Sequence, residues 1–220
     1  LFRSAEDFYH KPYKLLYTAI LDLDASGSAI DTVTLQDRLR ELDAPQELAS
    51  AATLSEVVNA VPTSTNVRHY AQIVADKAQL RFVWDSAQTN YALACHSVET
   101  GYGLHVANAV LADMPARPTT LHEAMTFAVA YAAAGSDARM SGCPQAVVIN
   151  SGSGNQGITC TVPVLMLGQY LGCGDDRIIE ALCISELVGL MITARKERLS
   201  ALCGAFTAAM GAGCGMVWMM

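Results

Sequence analysis

Charged side chains make up only 16% of this 220-residue chain, and its first 84 residues contain no cysteine and a single glycine, Gly27. Hydrophobic residues reach 52%. That balance excludes a disordered chain, which needs low hydrophobicity and high charge, and provides for a large core. Positive charge is the scarcer sign. A net charge of −7 excludes bulk electrostatic binding to DNA or to anionic membranes. The chain has neither a Gly-Lys-Ser/Thr phosphate loop nor a dinucleotide fingerprint. It has no Cys-x-x-Cys among its seven cysteines, which excludes ferredoxin-like and zinc-ribbon patterns. An odd cysteine count without a secretory signal is expected of reduced thiols in a cytoplasmic protein. The sequence opens on Leu1 rather than Met, and the expectation is a piece of a longer chain. Repeats, low-complexity tracts and a Pro/Gly/Ser-rich linker are also missing.

What is present changes character near Trp84. All seven cysteines and fifteen of the sixteen glycines follow it; 19 of the first 84 residues are charged, against 16 of the last 136. Two differently built units, 1–84 and 85–220, are the simplest account, each with a core of its own. Both read as mainly α. In the first, apolar spacing predicts helices over 7–24, 35–42 with Thr34 as N-cap, and 54–60 before Pro62. A long helix is expected from Asn66 across the join to about Tyr91. In the second, helical pieces are expected over 106–111 and 121–134, the latter capped by Thr120 and ended by Gly135. His10, His69, His96, His105 and His122 each stand alone and read as surface or hydrogen-bonded residues rather than metal ligands.

The stretch that organises the second unit is 150–157, Asn-Ser-Gly-Ser-Gly-Asn-Gln-Gly. It follows an apolar run and precedes a helix-like segment from Ile158 to Tyr170. Glycines there permit positive φ and bare amides, and an uncapped helix N-terminus attracts anions. Ser151, Gly152, Ser153, Gly154, Asn155 and Gln156 are thus candidates to hold a substrate carboxylate or small phosphate; a plain surface turn is the other reading. Asp137 and Arg139, just upstream, read either as a carboxylate clamp, with the aspartate orienting the arginine, or as a structural salt bridge under the loop. The uncharged residues 199–220 contain Gly211-x-x-x-Gly215 and are long enough for a membrane span. Their Ala, Gly, Ser, Thr and Cys content instead predicts a small-residue helix packed in a core.

Ser136-Asp-Ala-Arg-Met, the 150–157 block and Arg198-Leu-Ser-Ala-Leu-Cys203, in that order, resemble the iron–sulfur L-cysteine desulfidase and L-serine dehydratase alpha-chain family. Asn90 and Tyr102-Gly103 match it too, and the resemblance runs over about 85–220. It implies a pyridoxal-free lyase performing β-elimination on L-cysteine or L-serine. Its 4Fe–4S cluster would have three protein thiolates, and Cys203 falls on one of those positions. The family's other two ligands lie in a Cys-Asp-Gly motif that this sequence does not contain. The expectation is that this chain alone neither assembles the cluster nor turns substrate over. Residues 2–82, with Asp7-Phe-Tyr-His-Lys-Pro and Asn59-Ala-Val-Pro-Thr, resemble the N-terminal domain of the replicative DNA helicase DnaB. That resemblance implies a helical collar that pairs with neighbouring subunits or primase and makes no direct nucleic-acid contact. It leaves open a non-catalytic interaction and oligomerisation module, or an artefactual fusion without function of its own.

Overall fold

The structure, a computed structural model, describes residues 4–61, 63–196 and 202–220. Among them the secondary structure is helical, without strands, and the chain divides into the units Leu1–Leu80 and Arg81–Met220. Pro62, the expected stop of a helix, and Arg198 to Ala201 of the Arg-Leu-Ser-Ala-Leu-Cys block lie outside the described residues.

In the first unit α1 (Lys11–Ala25) carries Pro12 in its first turn, where no amide partner is lost. The helix α2 (Thr32–Glu41) starts earlier than its apolar spacing indicates. Asp31, not Thr34, is its N-cap: the Asp31 carboxylate accepts from the amides of Val33 and Thr34, and the Thr34 hydroxyl accepts from the Asp31 amide. Ser50 caps α3 (Ala51–Asn59). Leu16, Ala19, Leu23, Leu35, Leu39 and Leu54 from these three helices form the unit's core, together with Leu48 and Ala49. The 34-residue α4 (Val67–Thr100) is one continuous helix through the join.

The second unit adds α5 (Val106–Leu111), α6 (Leu121–Met140), α7 (Gly154–Tyr170), α8 (Asp175–Arg195) and α9 (Gly204–Met219). Thr120 and Glu123 form a capping box at the start of α6. Gly135 does not end that helix, contrary to the sequence expectation. It is buried within α6, and a Cβ there would meet Ile158 of α7 at 3.1 Å and Ala94 of α4 at 3.5 Å. The glycine serves helix contact, not termination. α6 stops one and a half turns later, where Gly142 takes φ 82°. There the Cys143 amide donates to Ala138 O and the Gly142 amide to Arg139 O, the two bonds of a Schellman end. Asp137 and Arg139 are therefore on the last turn of a helix, not in a loop.

Helices α7, α8 and α9 form a tight core in which direction can be read from the contacts. Gln156 packs on Gly204, Cys160 on Ala208 and Gly168 on Met219, so α7 and α9 run parallel. Cys160 meets Ser185 and Gly168 meets Ile178, so α8 runs antiparallel to both. Along α9, Gly211 faces the Ser185 backbone and Gly215 the Ala181 backbone, each too close to admit a Cβ. The glycine pair at residues 211 and 215 is thus the contact face of a core helix. No helix among the described residues is long and apolar enough to cross a membrane.

Candidate functional site

The 150–157 stretch is built from behind. Asn90, fully buried on α4, accepts from the Val148 amide at 2.8 Å and donates to Val148 O and Thr161 Oγ1, both at 3.1 Å. This side chain does for residues 147–149 what a neighbouring strand would do. Gly157 lets α7 press on the same peptide, since a Cβ there would collide with Val148 O. The chain then turns tightly. Asn150 and Ser153 exchange backbone hydrogen bonds at 3.2 and 3.0 Å. Both residues between them have positive φ, Ser151 at 51° and Gly152 at 83°, as a primed turn requires.

Helix α7 begins at once with Gly154. Its N-cap Ser153 makes no side-chain capping bond, so the amides of Gly154, Asn155 and Gln156 open the helix without a side-chain cap. Positive φ therefore belongs to Ser151 and Gly152; at Gly154 the need is for close approach instead. The Arg139 guanidinium and Cδ lie so near the Gly154 Cα that a Cβ would clash with them. Arg139 Nη1 also donates to Asn155 Oδ1 at 3.1 Å.

The other predicted residues separate around this centre. Asp137 does not pair with Arg139; two positions apart on a helix, they point to different faces. Asp137 Oδ1 instead accepts from the Leu104 amide at 3.0 Å, and Oδ2 is buried without a hydrogen bond. Gly103 admits this contact, because a Cβ there would strike the carboxylate. Gln156 is buried and lies over Gly204, the first residue of α9. Cys203 is the exposed N-cap of α9 and, like Ser153, makes no capping bond. Two uncapped N-termini of parallel helices thus stand side by side, with the Arg139 guanidinium over one of them.

Sequence reasoning missed Glu186. Its carboxylate, half-buried on α8, accepts from Asn150 Nδ2 at 2.9 Å, and Asn150 Oδ1 accepts from the Ser151 hydroxyl at 2.7 Å. Burial pushes the Glu186 pKa up, with a smaller opposing effect from the Asn150 bond. The residue lies 36 positions from its partner, so no local pattern reveals it.

Whether these side chains suit an iron–sulfur cluster is a question of ligand count. Among the described residues no group of three or more His, Cys, Asp or Glu side chains is placed to hold a metal ion. Cys203 offers one exposed thiol. One thiolate is too few for a cluster held by several.

The structure defines a helical domain in which a glycine-opened helix N-terminus faces an arginine, an arrangement whose amides and guanidinium are hydrogen-bond donors suited to a small anion. Comparison of sequences is more specific. The family model for the serine dehydratase alpha chain matches residues 36–220, and the chain belongs to that family. Among its relatives is the UPF0597 protein YhaM of Escherichia coli, in strains O1:K1 / APEC, SMS-3-5 / SECEC and O45:K1 (S88 / ExPEC). Each is 36% identical over 207 residues, which is 93% of this chain and 44% of the relative. The chain spans less than half the length of these relatives. No solved structure matches it. Coverage of 93% takes in most of the first unit, and the family model already begins at residue 36. The helicase resemblance of residues 2–82 therefore rests on its own sequence blocks and draws no support from these matches.

Proposed function

We propose that the second unit binds the carboxylate of a small α-amino acid, L-serine or L-cysteine, for a serine dehydratase-type β-elimination. The products would be pyruvate and ammonia, with sulfide in addition from cysteine. The observation that carries this reading is the uncapped start of α7, with Arg139 laid over Gly154 and bonded to Asn155. Free amides and a guanidinium are the donors a carboxylate needs, and both are held in place before any ligand arrives. Ser151, Gly152 and Ser153 shape the turn that presents them; Gln156 ties the first turn of α7 to α9. Holding the carboxylate narrows the orientations open to the Cα–H and Cβ–heteroatom bonds that elimination breaks. An iron–sulfur cluster, which the family resemblance implies, asks for more thiolates than Cys203. In this reading the residues around α7 serve binding of the amino acid, and activation of its leaving group calls for thiolates besides Cys203.

Titration calorimetry or ligand-observed NMR with L-serine and L-cysteine tests the reading. Weak binding without turnover is expected for the chain as it stands. Gly154→Val should abolish binding, because its side chain would occupy the place of Arg139. If Gly154→Val and the wild-type chain respond alike, residues 150–157 are a turn and nothing more.

A further inference from the structure

Glu186 is a half-buried carboxylate that carboxylate binding does not use, and it lies behind the turn rather than in it. An ionised carboxylate can only accept hydrogen bonds. Its 2.9 Å bond from Asn150, beside a longer one at 3.5 Å from the same Nδ2 to the Glu186 backbone carbonyl, therefore holds the Asn150 amide one way round, with Nδ2 toward α8 and Oδ1 toward Ser151. Asn150 is 4% exposed, so water does not compete for that orientation. A serine hydroxyl has one proton, and Ser151 directs it to Asn150 Oδ1. Among the described residues Ser151 makes no other side-chain hydrogen bond, which leaves its oxygen as an acceptor only. The polarity of the series runs from Glu186, whose carboxylate and backbone carbonyl both accept from Asn150, through Asn150 to Ser151, and the shorter bond is the one to the carboxylate.

We infer that Glu186 is a positioning residue that makes Ser151 an acceptor for the α-ammonium group, so that this loop selects zwitterionic amino acids over plain carboxylates. This deepens the carboxylate-binding reading and rests on it. The donors Arg139 and the α7 amides would take the negative end of the ligand, and Ser151 the positive end. A ligand with a carboxylate but no donor at Cα would leave Ser151 unmatched.

The discriminating pair is L-serine and 3-hydroxypropanoate, which keeps the carboxylate and the β-hydroxyl but lacks the ammonium. Dissociation constants from ligand-observed NMR should favour L-serine by about tenfold or more, the scale of one hydrogen bond to a charged group. Glu186→Gln preserves shape but removes the charged acceptor, leaving only the longer bond to the backbone carbonyl to favour this amide orientation. It should reduce the preference to roughly threefold or less while leaving affinity for 3-hydroxypropanoate unchanged. Ser151→Ala should lower the ratio of the two affinities likewise, whatever its effect on each through the turn, and it decides the matter if Glu186→Gln fails to fold. Equal wild-type affinity for the two ligands would overturn the inference, as would a full preference retained in folded Glu186→Gln or in Ser151→Ala. If the wild-type chain binds neither ligand, the carboxylate reading falls first, and the inference with it.

Discussion

A carboxyl group taken out of water resists ionisation, and for Glu186 burial outweighs the stabilising bond from Asn150. Folded Glu186 keeps its proton to a higher pH than the unfolded chain does. Between the ordinary glutamate pKa and the raised one, the folded state binds more protons, so the unfolding free energy falls as pH rises through that window. The neighbouring thiols act in the same sense. Burial chiefly, and the Glu186 charge secondarily, push Cys160 up to about 12 and raise Cys183. Glu186→Gln removes the titration and keeps an acceptor for Asn150. Its melting temperature should match wild type near pH 4 and gain on it toward pH 7; thermal melts across that range check this. A deficit that grows with pH would mean the ionised carboxylate stabilises the fold. The contrast with residues 150–157 is instructive. Those eight residues were legible as a glycine turn opening a helix because that pattern is consecutive in sequence, whereas Glu186 meets Asn150 through a fold contact 36 positions away.

Among the elements, α9 shows what glycine does in a helix and how little its spacing alone reveals. Gly211-x-x-x-Gly215 indicated close packing, but the partner, α8, and its antiparallel sense come only from the fold. Gly211 faces fixed backbone at Ser185, while Gly213, two residues on, has open space around its Cα. Opposite signs follow for the same substitution. Gly211→Ala should cost about 1–3 kcal/mol, since backbone cannot step aside. Gly213→Ala should stabilise by roughly 0.4–1 kcal/mol through helix propensity and a less free unfolded chain. Urea unfolding of both variants gives the comparison, and equal effects would show that α9 does not lie on α8 as described. Gly135 teaches the converse lesson. Read locally it was a terminator, because glycine commonly follows a helix; in the fold it is a contact residue, and Gly142 is the terminator. The start of α2 shifted for a related reason: Asp31 and Thr34 are both good caps, and apolar spacing cannot choose between them.

For the whole molecule, the change in composition at Trp84 and the division of the fold at Leu80 describe two kinds of helical packing. The first core is built of leucines from α1, α2 and α3. The second is built of alanine, glycine and branched residues at close helix contacts. Each described core draws its residues from one unit, although α4 runs through both. Leu39 and Leu182 are both fully buried, one in each core. Truncating either to alanine should destabilise by about 2–5 kcal/mol, from lost burial plus the cavity left behind. The two losses should differ in reach. In amide hydrogen exchange, Leu39→Ala should speed exchange over α1, α2 and α3 and leave α7, α8 and α9 at wild-type protection. Leu182→Ala should do the reverse, because subglobal opening follows the contacts that a core supplies. Uniform loss of protection from either variant would mean that the long α4 joins the two units into one cooperative body. The proposed carboxylate site on α7 would then depend on the leucine core as much as on its own.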